Sequence, residues 1–209
     1  FLSGLPAKVV ADTGMDVLTH YIEAYVSTNA NPFSSSFAMK SIKLIFENLV
    51  AHYNYRKIQG PKENVQFASC LAGIAFDNSS LGINHSIAHT VGAKFHIAHG
   101  RANAIIMPYV IEVNTEANRK YFEISRELGL PSDTIEEGKY SLLSFVRILK
   151  EKLAVEKSLK DYGVDFEAFK REIPSMLEDI KKDICTQYNP NKLTDEEYVR
   201  LLLKIYFGE

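Results

Sequence analysis

The sequence predicts an all-α protein, and three observations support that prediction. Apolar residues recur at helical spacing in several segments, as in the stripe Ala38, Ile42 and Ile45. Residues that cap helices stand at segment boundaries, for example Thr194 with Glu197 three residues later. No segment shows the apolar–polar alternation of a half-buried strand. A mainly helical, bundle-like fold is therefore expected.

The predicted helices follow one another along the whole chain. Asp12 or Thr13 is expected to cap a first helix that runs to about Val26, and Asn31–Ser34 then breaks it. Further helices are predicted from about residue 35, and at about 63–78, 84–95, 100–113, 115–128, 134–153, 165–183 and 194–206. Pro108 should bend the helix at 100–113, because proline lacks a backbone donor and its ring clashes with the preceding turn.

Composition and charge exclude several classes of function. The 209 residues suffice for one sizeable core. A net charge of −2 gives no reason to expect a nucleic acid or an acidic membrane as a partner. Cys70 and Cys185 are too few for a disulfide framework, so a cytoplasmic location is expected. No apolar run approaches the ~20 residues that cross a bilayer.

The charged residues and the histidines are distributed unequally. Residues 1–114 contain 15 of the 50 Asp, Glu, Lys and Arg residues, yet all six histidines lie within the first 99 residues. Imidazoles in an otherwise apolar region need partners, because burying an unpaired polar group costs on the order of a few kcal/mol. This mismatch is the first indication of a functional site.

Two pairs of potential metal ligands occur at helical i, i+4 spacing. Asp16 and His20 share one helix face, and His85 and His89 repeat the spacing on another helix. His99 follows at a predicted helix start. One carboxylate and several imidazoles without a thiolate suit Fe(II), Zn, Mn or Co. The Asp16/His20 pair alone is a weak indication, and the His85/His89 pair alone fits ligands and satisfied core residues equally well. The two pairs together with His99 predict a divalent metal site.

The two remaining histidines are interpreted differently. His52, at the end of the second helix, is expected to be solvated. His96 lies between the two ligand segments, where it either lines the site or packs.

The segments that carry these residues resemble the iron-containing alcohol dehydrogenase family. Asp12–Ser27 is similar to the family's first metal motif, and Gly82–Ala104 to its second. Cys185–Thr186 followed by Asn189–Pro190 is similar to its C-terminal marker. The resemblance covers nearly the whole chain. It is particularly close to the alcohol-dehydrogenase half of bifunctional aldehyde–alcohol dehydrogenases and to lactaldehyde reductase.

The resemblance implies a two-domain enzyme, of which residues 1–209 form the all-helical metal-binding catalytic domain of the dehydroquinate synthase-like fold. An N-terminal domain that binds NAD or NADP is expected to be absent, since no Gly-x-Gly-x-x-Gly segment or parallel-sheet pattern occurs. The chain also begins at Phe1 rather than at methionine. A fragment is therefore expected, inactive without its cofactor domain and with no cofactor-binding residue of its own.

The resemblance also assigns roles to individual residues. The implied metal ligands are Asp16, His20, His85 and His99. His89 is implied as a non-ligand proton relay, and Phe76 and Cys185 are implied at the substrate pocket. Fe(II) is the expected metal, with zinc as the alternative. Ala98 and Gln187–Tyr188 depart from the family's usual pattern, which affects the shape of the pocket but no ligand.

The implied reaction is the NAD(P)-linked interconversion of a small primary alcohol and its aldehyde, with the metal polarising the substrate oxygen. The full-length enzyme is expected to be a homo-oligomer, a dimer or larger. One alternative is a zinc-dependent, glycerol dehydrogenase-like member of the same superfamily. Another is a helical metalloenzyme that is not an oxidoreductase, such as a phosphohydrolase, although the adjacent His-Asp pair of those enzymes is missing here. A third is a helical interaction module that binds no metal.

Overall fold

The computed structural model describes residues 4–209 and confirms the all-α prediction. That range contains ten α-helices and no strand. The helices are α1 (Ala7–Val26), α2 (Pro32–Asn54), α3 (Gln59–Asp77), α4 (Ile83–Phe95), α5 (His99–Val113), α6 (Asn118–Glu127), α7 (Ile135–Lys152), α8 (Leu159–Tyr162), α9 (Phe166–Lys182) and α10 (Asp195–Phe207). Short 3-10 helices lie at Thr115–Ala117 and Ile184–Tyr188. Phe1–Ser3, where the expected fragment start and connector begin, lie outside the described residues.

The start of α1 differs from the prediction. The helix begins at Ala7, so Asp12 and Thr13 lie inside it and the predicted cap at these residues is wrong. Asp12 is instead buried, with its carboxylate beside the guanidinium of Arg101. A residue that favours helix caps can occupy a helix interior when a distant charge pairs with its side chain.

The start of α2 also lies earlier than predicted. Asn31 caps this helix by accepting a hydrogen bond from the backbone N–H of Ser34, and Pro32 occupies the first turn. Proline is tolerated there because the missing N–H would have no partner inside the helix. Asn31–Ser34 therefore starts α2 as well as ending the preceding segment.

The last helix begins where the sequence indicates. The Thr194 hydroxyl accepts from the backbone N–H of Glu197, whose carboxylate accepts from the backbone N–H of Thr194 at 2.7 Å. This reciprocal pair confirms the predicted capping box.

Helices α1, α4 and α5 form the centre of the molecule. α5 packs against α1, α4, α7 and α10, while α2 and α3 cover α1 and α9 covers α4. Every residue of α5 from Gly100 to Ile111 is buried. The histidine-bearing segments therefore lie on the central helices, as their low charge content indicates.

Two buried lysines of α7 pair with carbonyl groups of α5. Lys150 Nζ donates to the carbonyl of Ile105 at 3.2 Å, and Lys139 Nζ donates to that of Glu112 at 3.0 Å. Pro108 lies between these two acceptors and does not end the helix. Pro108 has no N–H to donate to the carbonyl of Ala104, four residues earlier, so α5 lacks one backbone hydrogen bond at this point.

We expect Lys150 to make stability depend on pH. Burial, with the positive charge of Arg147 adding to it, lowers the pKa of Lys150 from its ordinary 10.5 to about 7. Between these values the unfolded chain binds the proton more tightly, so the free energy of unfolding rises as the pH increases from about 7 to 10.5. The rise is at most about 1.4 kcal/mol per pH unit. Denaturant unfolding of the metal-free protein and of Lys150→Met at pH 6.5 and 9.5 measures it. A difference between the two proteins that stays constant over this range would contradict the expectation.

The two remaining histidines lie near the end of α2 and directly after α4. His52 is buried, with 3% of its surface exposed, so the expectation that it is solvated is wrong. Burial lowers its pKa. His96 is exposed and ends α4 in the left-handed region, with φ of 54°.

None of the helices within residues 4–209 is both long enough and apolar enough to cross a bilayer.

Candidate metal centre

One turn of α1 places Asp16 and His20 side by side. His20 Nδ1 donates to the backbone carbonyl of Asp16 at 2.8 Å, one helical turn away. This bond puts the ring proton on Nδ1 and leaves the lone pair of Nε2 available. The Phe76 ring from the end of α3 stacks on His20, with the centroids 4.7 Å apart. His20 is thus fixed in both tautomer and ring orientation.

The neighbouring helices bring two further imidazoles to the same carboxylate. His85, in the first turn of α4, has its Nε2 3.8 Å from Asp16 Oδ1. His99, the first residue of α5, has its Nε2 3.3 Å from the same oxygen. The His85 ring is 1% exposed, whereas the His99 ring is 44% exposed. Asp16 therefore lies at the junction of three helices.

The structure brings together the four side chains that the resemblance assigns as ligands. One donor atom from each lies within 4.8 Å of all the others. These residues are Asp16, His20, His85 and His99. The grouping is an observed geometry, and the metal-binding role of these residues is taken up below as a proposal.

The chemistry of these donors fits a divalent metal ion. The buried Nε2 of His85 has no hydrogen-bond partner among residues 4–209. Burial, partly opposed by Asp16, lowers the pKa of His85 to about 3. Burial, together with the neighbouring His85, lowers that of His20 to about 4. Both imidazoles are thus neutral near pH 7, as metal coordination requires.

Two polar residues of α4 and α5 support the carboxylate. Asn103 Nδ2 donates to Asp16 Oδ1 at 2.7 Å, and Asn84 Nδ2 donates to Asn103 Oδ1 at 2.8 Å. Asn84 and Asn103 are almost fully buried. Gly100 permits this arrangement, because a Cβ there would overlap the backbone carbonyl of Asp12. The start of α5 can therefore approach α1 closely enough for His99 and Asn103 to reach Asp16.

His89 lies beside the cluster but belongs to a different set of contacts. Its ring stacks on that of His99, with the centroids 5.3 Å apart, and its Nδ1 contacts Asp183 Oδ2 at 2.7 Å. Burial acts to raise the pKa of Asp183, but hydrogen bonds from His89 and from the backbone N–H of Cys185 outweigh it and lower that pKa. Asp183 thus remains an anion that orients His89.

The two predicted pocket residues contact different residues of the site. Phe76 contacts His20 directly. Cys185 is 7% exposed, and its backbone N–H donates to Asp183 at 2.8 Å. Burial, with the charge of Asp183 adding to it, raises the pKa of the Cys185 thiol to about 12. Cys185 is therefore a neutral thiol rather than a thiolate ligand or nucleophile. That both residues line a substrate pocket stays a prediction.

Three residues of the site were not identified from the sequence. Glu23 contacts His85, Asn103 contacts Asp16, and Asp183 contacts His89. Helical spacing could have indicated two of them, because Glu23 follows Asp16 by seven residues and Asn103 follows His99 by four. Asp183 follows His89 by 94 residues, and no local pattern connects the two.

Comparison with known proteins decides the family. A family model described as "Fe-containing alcohol dehydrogenase family, C-terminal" matches residues 10–206. This chain belongs to the iron-containing alcohol dehydrogenase family. The resemblance of the histidine-bearing segments to that family is thereby confirmed.

Individual relatives agree with the family assignment. An NADPH-dependent butanol dehydrogenase of Clostridium saccharobutylicum is 42% identical over 205 residues, which cover 98% of this chain and 52% of that protein. The bifunctional aldehyde-alcohol dehydrogenase of Escherichia coli (strain K12) is 36% identical over 223 residues, covering 98% of this chain and 25% of that protein.

A solved relative agrees in fold. The structure of an iron-containing alcohol dehydrogenase from Thermococcus thioreducens matches with a TM-score of 0.89 and 35% identity, covering 99% of this chain and 53% of that one. The chain thus spans about half the length of two of these relatives and a quarter of the bifunctional one.

Proposed function

We propose that this chain is the metal-binding part of an alcohol dehydrogenase and that it binds one divalent ion. The proposed ligands are Asp16, His20, His85 and His99. One observation carries the proposal: the buried, unpartnered Nε2 of His85 lies among three other donor atoms, all within 4.8 Å of one another. One carboxylate and three neutral imidazoles would leave a net single positive charge on a divalent ion, which remains electrophilic.

Iron is the proposed metal, with zinc as the alternative. Oxygen and imidazole donors accept both ions, so the ligand set alone does not choose between them. The family match supports iron, because that family is described as Fe-containing. The same match disfavours the glycerol dehydrogenase-like, phosphohydrolase and interaction-module alternatives.

The proposed reaction of the whole protein is the NAD(P)-linked interconversion of a small primary alcohol and its aldehyde. A divalent ion held by the four proposed ligands would supply Lewis-acid polarisation of the substrate oxygen, and a nicotinamide cofactor would supply the hydride chemistry. Support for this reaction comes from the alcohol dehydrogenases among the relatives. No dinucleotide-binding sheet exists among the described residues, which contain no strand. We therefore propose that residues outside this chain bind the nicotinamide.

The contacts of His89 suit a proton relay. Asp183 fixes its Nδ1 at 2.7 Å, so Nε2 is free to accept the hydroxyl proton of an alcohol. An open cavity of about 490 Å³ lies against His89 and is also lined by Lys94 and Asp183. The 44% exposed ring can release the proton towards solvent through this cavity. The Phe76 ring stacks on that of His20 and covers one of its faces.

Metal titration tests the proposal. Fe(II) under anaerobic conditions, or Zn²⁺, is expected to bind at one equivalent and to raise the thermal stability of the protein. At 100 times the Kd the gain is about 2.7 kcal/mol, and a chelator should reverse it. A folded chain that binds neither ion, and whose stability is indifferent to chelator, would refute the proposal. The same chain assayed with NAD(P) and a primary alcohol is expected to be inactive until the residues that bind the nicotinamide are supplied.

A further inference from the structure

A buried carboxylate lies behind His85, on the side away from the other three donors. Glu23, on α1, is 3% exposed. Its Oε2 lies 2.5 Å from His85 Nδ1, and Oε2 also accepts from the backbone N–H of His85 at 3.2 Å. Its Oε1 accepts from the backbone N–H of Asn84 at 2.7 Å. Three donors of the first turn of α4 thus converge on one side chain.

The residue before α4 leaves room for the carboxylate of Glu23. Gly82, the residue before α4, makes no side-chain cap for that helix. A Cβ at Gly82 would lie only 2.7 Å from Glu23 Oε1, so the absence of a side chain there leaves room for the carboxylate. Glu23 thereby serves as the cap of α4, although it belongs to α1. A negative group at a helix N-terminus is also favoured by the helix dipole.

The contact with Nδ1 determines which ring nitrogen of His85 carries the proton. A carboxylate beside Nδ1 accepts a hydrogen bond and therefore favours the tautomer protonated on Nδ1. The lone pair is then on Nε2, which faces Asp16 at 3.8 Å. Without this contact, the proton could move to Nε2, where it would block coordination.

We propose that Glu23 is a positioning residue that fixes His85 in the tautomer whose Nε2 faces the metal site. The inference rests on the proposed metal-binding function. Because Glu23 and two of the proposed ligands share α1, the same contact also fixes the distance between α1 and the start of α4. Loss of such a partner typically lowers metal affinity by about 10- to 100-fold.

Glu23→Gln is the variant that tests the inference. Glutamine matches the size of glutamate but offers one acceptor oxygen, which cannot serve all three donors, and its NH₂ group would face an N–H group. We expect the Kd for Zn²⁺, measured by competition with a chelator, to rise about 10- to 100-fold. In the metal-free variant, ¹⁵N NMR of the His85 ring should show a shift of the proton from Nδ1 towards Nε2.

Ser27→Ala provides a matched control for a purely structural effect. Ser27 is also buried near the end of α1, and its hydroxyl donates to the carbonyl of Ser79 at 2.6 Å, in the loop before α4. The variant loses a buried hydrogen bond between the same two regions without touching His85. We expect lower stability in both variants, but weaker Zn²⁺ binding and an altered tautomer only in Glu23→Gln.

The outcomes separate this inference from the proposed function. If the wild type binds Zn²⁺ and Glu23→Gln binds it equally well, the positioning role is wrong and the metal site stands. If the wild type binds no metal, the proposed function fails, and the claim about affinity fails with it. If Glu23→Gln does not fold, the wild-type NMR spectrum decides alone, and a His85 ring protonated on Nε2 would overturn the inference.

Discussion

Replacing His99 with alanine is expected to lower metal affinity by more than about 100-fold, beyond the loss typical of a residue that only supports a ligand. His99 is one of only four donors in the cluster, and its Nε2 lies 3.3 Å from Asp16 Oδ1. Removing it leaves three ligands and opens the most exposed side of the site to water. Elemental analysis after gel filtration, with and without added Fe(II) or Zn²⁺, measures the effect. Full occupancy in His99→Ala would show that the ligand assignment is wrong.

His89→Ala is the matched control for that experiment. The two rings stack on each other and have the same 44% exposure, so the variants remove equal side chains from the same surface. We expect His89→Ala to retain the metal. In a longer protein that carries the nicotinamide-binding residues, it should lower the rate and change its pH profile, because the proton relay is lost. Release of the metal from His89→Ala would instead make His89 a ligand.

Arg101→Met is expected to destabilise the metal-free protein by about 3–5 kcal/mol. Arg101 is 2% exposed, with Nε 2.6 Å from Asp12 Oδ1 and its terminal nitrogen 2.9 Å from Glu156 Oε2. The same nitrogen donates to the carbonyl of Ala154 at 2.9 Å. Removing the guanidinium leaves the largely buried Asp12 carboxylate without its cation, which is costly in a low-dielectric interior. Denaturant unfolding at neutral pH measures the loss.

Arg119→Met serves as the comparison for the buried arginine. Arg119 pairs with Glu123 at 3.3 Å one helical turn away, but its side chain is 80% exposed. Such surface pairs contribute less than about 1 kcal/mol. Equal effects of the two substitutions would show that the buried network does not stabilise α1 against α5.

The helical class was accessible from the sequence because it depends on local spacing. Spacing also indicated a metal site, but it left His89 among the candidates, and only the family resemblance implied the four proposed ligands. Asp16 and His20 are one turn apart, and apolar stripes repeat at the period of a helix. The predictions are wrong where residues far away in the sequence determine the environment of a side chain. Asp12 has the side chain of a helix cap, but Arg101, 89 positions later, pairs with it inside α1. His52 lies among polar neighbours in the sequence, yet the packing of α2 buries it.

The contacts that support the site could not be predicted from the sequence for the same reason. Asp183 reaches His89 only because the segment after α9 folds back on α4. Glu23 lies on the face of α1 that carries Asp16, so its direction could be anticipated. Its partner could not, since His85 follows it by 62 residues. The sequence therefore indicates which side chains are available for chemistry, and the tertiary packing determines which of them meet.

The position of Asp16 at the junction of α1, α4 and α5 has a mechanical consequence. An ion that joins Asp16 to His99 would close a loop of more than 80 residues, much as a disulfide does, and would restrict the opening of all three helices together. A chelator would then act as a local denaturant. It would loosen the molecular centre more than the helices that carry none of these donors.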